Sequence, residues 1–203
     1  MFVVSSPSGG GKTTVVQQLR RLLPALDRSV SVTTRTPRRG ERQGRHYHFV
    51  TREQFDRQRR AGEFLEWAKV HGAAYGTPKR PILDRLTRGR SVVLSIDVQG
   101  ARQIRNALGD QAVLIFLMPP SRAALRERLV GRRTETAAAM RQRLRAAARE
   151  MRCARWYDYT VVNERIPDAA RRLRMIVQRR YVPLGRERES HGAPAGGRSA
   201  QAV

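Results

Sequence analysis

The chain has 203 residues, of which 40% are hydrophobic, and this predicts one compact α/β domain with small inserted lobes. Its single cysteine, Cys153, excludes an internal disulfide framework and a cysteine-based zinc site. No apolar run approaches the roughly 18 residues that span a membrane, and the first residues lack the pattern of a secretory signal, so we expect a cytoplasmic protein without membrane contact.

The charge is strongly positive, with 41 basic residues against 17 acidic ones and a formal net charge of +24. Only three of the basic residues are lysines, and the arginines are spread along the whole chain. A general bias towards arginine accounts for most of them, with incidental binding of polyanions as the alternative. Since no RNA-binding motif or aromatic-studded basic face is evident, we expect at most weak, non-specific polyanion binding and no specific nucleic-acid partner.

The first elements follow the pattern of a doubly wound fold. The apolar run at 2–6 predicts a buried strand, the glycines at 9–11 a loop, and the spacing over 13–23 a helix. Further core strands are predicted at 91–97, 112–118 and 159–163, and further helices at 81–89, 98–108, 121–133, 136–151 and 168–181.

A different composition interrupts this alternation between residues 29 and 81. Short strand-like segments at 30–36, 46–50 and 64–70 alternate with turn-rich sequence and one polar helical stretch at 53–61. We therefore expect a small inserted lobe of mixed structure. After Pro183 the chain has no periodicity, and the basic segment 184–203 is predicted to be a disordered tail.

A glycine-rich loop at residues 6–14, SPSGGGKTT, follows the first predicted strand and opens the first predicted helix. It is similar to the Walker pattern of phosphate-binding loops, with Ser6 in place of the first glycine. Inward-facing N–H groups and the helix N-terminus suit phosphate oxygens. We predict that Lys12 contacts the β- and γ-phosphates and that the Thr13 hydroxyl binds Mg²⁺. The predicted ATP contacts of the loop are Ser8, Gly9, Gly10, Gly11, Lys12, Thr13 and Thr14.

Six further segments, in the same order and spacing, resemble the guanylate kinase family. They are SVSVTTRTPRRGERQGRHYHF (29–49), GEFLEWAKVHGAAYGTP (62–78), SIDVQGARQIR (95–105), FLMPPS (116–121), RLVGRRTET (128–136) and YDYTVVN (157–163). The resemblance covers about residues 1–181. It implies an α/β P-loop NTPase three-layer fold with a parallel central sheet, an inserted GMP-binding lobe and a helical lid. The implied single domain, 1–183, has its core at 1–30, 82–120 and 152–183, the lobe at 31–81 and the lid at 121–151.

The same resemblance implies an enzyme that uses ATP and Mg²⁺ to phosphorylate GMP, with dGMP as a further acceptor, as a monomer or small homo-oligomer. The implied GMP contacts are Ser31, Arg35, Arg38, Tyr47, Glu66, Tyr75, Thr77 and Asp97. Their chemistry suits this role, because guanidinium forks match a phosphate and carboxylates match the guanine N1 and N2 donors, which adenine lacks. The alternatives are surface arginines, core tyrosines, an exposed strand position for Glu66 and a helix cap at Asp97.

The resemblance also implies arginines that close over the phosphates. Arg132 and Arg143, with Lys12, would act on the transferred group, where guanidinium groups stabilise developing charge. Arg128 and Asn163 would lie on the ATP side of the site. The alternatives are a solvated helix face for Arg128 and a turn residue for Asn163.

One departure from the family pattern concerns the metal. The family usually has Asp-Ile-Asp where this chain has Ser95, Ile96 and Asp97, and the first aspartate normally helps to hold magnesium. Serine keeps a hydroxyl but loses the charge. We therefore predict weaker Mg²⁺ binding and a lower rate, without loss of the fold.

Three other functions are compatible with parts of the sequence. The chain could be a non-catalytic module that binds a phosphorylated protein segment, although Lys12, Thr13 and the lid arginines would then have no purpose. It could be a nucleic-acid binder, which the charge alone suggests. It could also phosphorylate a sugar phosphate, although such an enzyme has no need for the implied guanine contacts.

Overall fold

In this computed structural model, residues 1–70, 72–130 and 137–180 are described, without the side chains of 137–139. The predicted tail at 184–203 and the predicted catalytic residue Arg132 lie outside these residues. No helix within the described ranges is long and apolar enough to cross a membrane.

Strands and helices alternate along the chain. The strands are β1 (Phe2–Ser5), β2 (Asp27–Arg28), β3 (Val32–Thr33), β4 (His48–Phe49), β5 (Phe64–Val70), β6 (Ala73–Pro78), β7 (Val92–Ser95), β8 (Val113–Met118) and β9 (Tyr159–Val162). The α-helices are α1 (Lys12–Leu22), α2 (Arg52–Arg60), α3 (Lys79–Thr87), α4 (Val98–Leu108), α5 (Arg122–Val130), α6 (Ala137–Arg152) and α7 (Ile166–Arg180).

A parallel sheet forms the centre, as predicted, and its five strands have the order β2-β7-β1-β8-β9. In its register Val4 of β1 lies beside Ser95 of β7 and Ile115 of β8. The carboxyl ends of β1 and β7 are therefore neighbours, and the segments that follow them meet at one edge of the sheet. This is the edge at which open parallel sheets bind ligands.

Helices cover both faces of the sheet and thereby bury its strands on both sides. Val4 faces the cluster that contains Val15 of α1 and Leu173 of α7. The adjacent residue Val3 faces the opposite cluster, which contains Ile104 of α4. This alternation confirms the predicted three-layer arrangement.

The inserted lobe has its own sheet, with the order β4-β3-β6-β5, and its own small core. In that core the rings of Phe55 and Phe64 stack with their centroids 4.7 Å apart. Gln103 of α4 joins the lobe to the main domain, since its amide accepts from Trp67 N at 3.1 Å and donates to Trp67 O at 2.7 Å. The lobe is thus tied to the helix that begins at the sheet edge.

Helices α5 and α6 pack against each other within the predicted lid. Leu125 and Leu129 of α5 are buried against Ala147 of α6. Helix α6 therefore has one apolar face held by α5, which leaves its other faces for contacts with the main domain and with solvent.

Two strands are not anticipated by the sequence. Strand β6 contains alanine, glycine and proline, which have low strand propensity, and it is stabilised by pairing with β5 and β3 on its two sides. Strand β2 has only two residues and pairs with β7 alone. Helix α3 begins at Lys79, two residues before the predicted start at Pro81.

Candidate active site

A cavity of about 250 Å³ lies at the sheet edge between the phosphate loop and the inserted lobe. Most of the predicted site residues line it: Ser8, Gly9, Gly10, Gly11, Lys12, Thr13, Thr14, Ser31, Arg38, Tyr47, Glu66, Tyr75, Ser95, Asp97 and Arg143. Arg35, Thr77 and Asn163 lie behind this lining and contact it, and Arg128 in turn contacts the carbonyls of Asn163 and Glu164. The geometry therefore brings the predicted ATP and GMP residues to one place.

The phosphate loop is held in shape by its own backbone and by one buried side chain. Gly10 N donates to Pro7 O at 2.8 Å, and Asn163 Nδ2 donates to Gly10 O at 2.7 Å. Gly11 has φ +83°, and a Cβ there would lie 2.6 Å from Asn163 Nδ2. Only glycine combines that backbone with that approach. Asn163 thus supports the loop from behind.

Lys12 begins α1, and its side chain points along the cavity. Its ammonium donates to Ile96 O, at the carboxyl end of the neighbouring strand, at 2.6 Å. Burial lowers the pKa of Lys12, while the carboxyl groups of Asp97, Glu150 and Glu66 oppose that shift. The three carboxyls favour the charged form of the ammonium, which is the form that a phosphate ligand requires.

Glu66 of β5 is the most deeply buried carboxyl of the cavity, with 3% of its surface exposed. Thr77 Oγ1, across the strand pair, donates to Glu66 Oε1 at 2.5 Å. Burial raises the pKa of Glu66 to about 7; the charge of Asp97 adds to this shift, and the Thr77 hydrogen bond and Lys12 oppose it. An acceptor held in this way matches a ligand that presents N–H donors.

Asp97 caps a helix and also lines the cavity. Its Oδ1 accepts from Gly100 N at 2.9 Å and caps α4, while the residue also lines the cavity. Gly100 has a second purpose, because a Cβ there would collide with Glu66 Oε2. The first turn of α4 thus lies directly against the Glu66 carboxyl.

Two tyrosines and two arginines form the wall of the lobe. The rings of Tyr47 and Tyr75 meet edge to face, with their centroids 6.0 Å apart. Arg35 lies over the Tyr47 ring, and its Nη2 contacts both carboxylate oxygens of Glu41 at 2.9 Å. Arg38 N donates to Glu41 Oε2 at 2.7 Å, and the Arg38 side chain is exposed at the cavity. Glu41, which was not predicted as a site residue, therefore contacts both arginines.

Two side chains of the lid helices contact the phosphate loop, and a third contacts the segment behind it. Arg128 of α5 donates to the carbonyl of Asn163 at 3.0 Å. Arg143 of α6 donates to Ser8 Oγ at 3.4 Å. Glu150, which was not predicted as a site residue, accepts from Ser8 N at 3.1 Å and lines the cavity. Glu150 is the only acidic residue of α6 and lies about two helical turns after Arg143, on the same face of the helix. This spacing is the sequence pattern that could have identified Glu150 as a site residue.

The residues present suit a magnesium ion that arrives with a nucleotide. Thr13 and Ser95 both line the cavity and offer hydroxyl oxygens. Within the described ranges, no cluster of three or more His, Cys, Asp or Glu side chains could hold a metal by itself. Magnesium is usually held by few protein ligands together with substrate phosphates and water.

Comparison with known proteins identifies the family of the chain. The sequence matches the guanylate kinase family over residues 1–180. A guanylate kinase of Dechloromonas aromatica is 45% identical over 193 residues, which cover 95% of each chain. One of Streptomyces kasugaensis is 47% identical over 179 residues, with 88% of this chain and 87% of the relative covered. The crystal structure of guanylate kinase from Anaplasma phagocytophilum is similar with a TM-score of 0.76 and 38% identity, covering 89% of this chain and 85% of that one. The chain therefore belongs to the guanylate kinase family.

Proposed function

We propose that this protein is an ATP:GMP phosphotransferase. An oxygen of the GMP phosphate would attack the γ-phosphorus of ATP, the bond from that phosphorus to the bridging oxygen would break, and ADP would leave with the electron pair. The observation that carries the proposal is the shared cavity, in which the phosphate loop faces Glu66, Asp97 and the two tyrosines. Such a reaction needs positioned charges rather than a strong base.

Each group of residues has a proposed task. On the ATP side, the loop residues 8–14 hold the phosphates, Lys12 contacts the β- and γ-phosphates, and Arg128 and Asn163 support that side of the site. Arg143, together with Arg132, stabilises charge on the transferred group. On the GMP side, the tyrosines and arginines bind the phosphate: Tyr47, Tyr75, Arg35 and Arg38. The base is bound by Ser31, Glu66, Thr77 and Asp97.

Glu66 is proposed to select guanine. Its buried carboxylate can accept from guanine N1–H and N2–H, whereas adenine presents a bare nitrogen at position 1 and no amino group at position 2. With adenine in the site, the buried oxygens would be left without donors, which costs about 1–3 kcal/mol for each unpaired group. The same contacts do not involve the sugar 2′-hydroxyl, so we propose dGMP as a second acceptor.

Magnesium is proposed as the cofactor. Thr13 would hold it with the ATP phosphates, and Ser95 would stand where the family usually has an aspartate. The ion would supply positive charge to the phosphates when bound. Because Ser95 carries no charge, we propose that this chain binds Mg²⁺ more weakly than a chain with aspartate there.

The organisation and surroundings of the protein are proposed as follows. Residues 1–183 form one domain, with the core at 1–30, 82–120 and 152–183, the GMP lobe at 31–81 and the lid at 121–151, and a basic tail follows at 184–203. The protein acts in the cytoplasm as a monomer or small homo-oligomer. It binds polyanions weakly through its charge of +24, without sequence specificity, and this binding would be lost steeply as salt rises.

A coupled assay for ADP release tests the proposed activity. We expect turnover with GMP and dGMP and none with AMP, CMP or UMP, at low and at moderate salt. A Lys12→Ala variant serves as the control for contaminating kinases and should be inactive. If folded protein binds ATP but phosphorylates no acceptor, the proposal is wrong and the non-catalytic binding module becomes the better explanation.

A further inference from the structure

Ser8 of the phosphate loop is held by helix α6 at two points. Its backbone N–H donates to Glu150 Oε2 at 3.1 Å, and its hydroxyl accepts from Arg143 Nη2 at 3.4 Å. Arg143 and Glu150 are seven residues apart, which is about two helical turns, so they lie on the same face of the helix. We call this pair of contacts the Ser8 clamp.

Glu150 lies where a negative charge is unfavourable, and this indicates that its carboxyl has a function. It lies beside a loop that is built to receive anions, and burial raises its pKa, although the Ser8 hydrogen bond and Lys12 oppose that shift. A half-buried carboxylate near incoming phosphates is repelled by them. Helix α6 also does not need this contact for its attachment, because Leu144 and Ala147 already pack it against α5.

We propose that Glu150 is a positioning residue that fixes α6 on the phosphate loop at Ser8 and thereby places Arg143 for phosphoryl transfer. Glu150 touches a backbone N–H rather than the reacting groups, and it acts through the helix it shares with Arg143. This inference rests on the proposed function, since it assigns Glu150 a task within that reaction.

The position of Arg143 matters because a guanidinium stabilises the transferred phosphoryl group only over a short distance. Transition-state charge is stabilised by donors that are already in place, and a displacement of about 1 Å can cost roughly 100-fold in rate. A long arginine side chain on a helix fixed only by apolar packing has freedom along the loop. A second hydrogen bond to the same loop residue removes that freedom.

The test uses four variants, which separate the effect of the length of the Glu150 side chain from the effect of its charge. Glu150→Gln keeps the length of the side chain and an oxygen acceptor for Ser8 N–H, whereas Glu150→Asp keeps the charge but shortens the reach. We expect Glu150→Gln to keep kcat within about 5-fold of the parent, and Glu150→Asp and Glu150→Ala to lower it by about 30- to 100-fold, with little change in KM for GMP. Glu127→Gln, at an exposed position on α5, is the matched control and should leave kcat unchanged.

A double-mutant cycle with Arg143→Ala tests whether Glu150 acts through that residue. We expect Glu150→Ala to lower kcat by no more than about 3-fold when Arg143 is already alanine, because there is no guanidinium left to position. Two results would overturn the proposal: independent losses that multiply in the double variant, or a Glu150→Gln variant as slow as Glu150→Ala. Thermal unfolding of every variant identifies losses that come from misfolding.

The same cycle is repeated with ATP binding measured by calorimetry in the absence of an acceptor. If the parent phosphorylates no acceptor at all, the proposed function fails, but the binding cycle still decides the clamp. If the effect of Glu150→Ala on Kd for ATP largely disappears in the Arg143→Ala background, the clamp is supported. If the two substitutions change Kd independently, the clamp is refuted.

Discussion

Thr77 Oγ1 donates a 2.5 Å hydrogen bond to Glu66 Oε1 from the neighbouring strand, and both side chains are buried. Since β5 and β6 are paired in register at these two residues, the sheet of the lobe fixes the direction of the carboxyl. The remaining oxygen, Oε2, faces the first turn of α4 at Gly100. The carboxyl is therefore oriented before any nucleotide arrives.

Replacing Glu66 by glutamine should impair the use of GMP selectively. The amide would offer a donor where guanine also presents donors, so we expect kcat/KM for GMP to fall by roughly 100-fold, while Kd for ATP stays within about 2-fold. The measurement is steady-state kinetics with varied GMP, together with calorimetry for ATP. Glu63→Gln, at an exposed position three residues earlier, is the control and should behave like the parent. Equal losses for both ligands would contradict this role.

The same substitution should change the pH dependence of stability. The pKa of Glu66 is about 7 in the folded protein, against an ordinary 4.5, so between these values the folded state binds more protons than the unfolded state. The free energy of unfolding therefore falls as pH rises through this window, by at most about 3 kcal/mol from this group. Asp97 contributes to the raised pKa, and Lys12 opposes it.

Glu66→Gln removes that penalty because the amide does not ionise. We expect the variant to gain stability relative to the parent when the pH is raised from 5 to 8, as measured by urea unfolding without nucleotide. The Glu63→Gln control should show no such trend. A stability difference between Glu66→Gln and the parent that is the same at both pH values would refute the assignment.

A methyl group at Gly11 should disable the phosphate loop. Gly11→Ala would bring a Cβ to 2.6 Å from Asn163 Nδ2 at a backbone φ of +83°, and we expect ATP affinity to fall at least 100-fold. Gly40→Ala is a matched control, since Gly40 has φ +84° but no atom within 4 Å of the added carbon. That variant carries the backbone strain alone, and its ATP affinity should stay close to that of the parent. Similar ATP affinities in the two variants would show that the Asn163 contact is unimportant.

Restoring a carboxylate at position 95 should strengthen the response to magnesium. Ser95 is half-buried at the end of β7 and lines the cavity, so an aspartate there would face the same space. We expect Ser95→Asp to lower the Mg²⁺ concentration for half-maximal rate by about 3- to 10-fold and to raise kcat. Ser95→Asn has the same shape without the charge and should not reproduce the effect. An unchanged Mg²⁺ dependence in Ser95→Asp would mean that the missing charge does not matter.

The core and the phosphate loop could be predicted from the sequence because their signals are local. An apolar run, three glycines and an amphipathic segment determine β1, the loop and α1 without reference to the rest of the chain. The parallel central sheet was implied by the resemblance to a family rather than by any local pattern, and the order of its strands was not predicted. Strand β6 was missed because its stability comes from its two partners and not from its residues.

The site residues likewise divide into those that the sequence predicted and those that it did not. Glu66, Asp97 and the tyrosines were predicted and line one cavity, whereas Glu41 and Glu150 were not singled out. The importance of these two carboxyls lies in the residues they contact: Glu41 accepts from Arg35 and from Arg38 N, and Glu150 accepts from Ser8 N. The contact of Glu150 joins residues 142 positions apart, and residue type alone does not reveal such a pairing.

Asp97 holds the first turn of α4 with one oxygen and faces the cavity from the same position. A library screened only for folded, heat-resistant protein would accept Asp97→Asn, because asparagine caps helices as well as aspartate does. It would reject Asp97→Ala for reasons unrelated to the nucleotide. Mutational tolerance at this position therefore reports two requirements at once, and only a selection that demands growth through phosphate transfer would distinguish them.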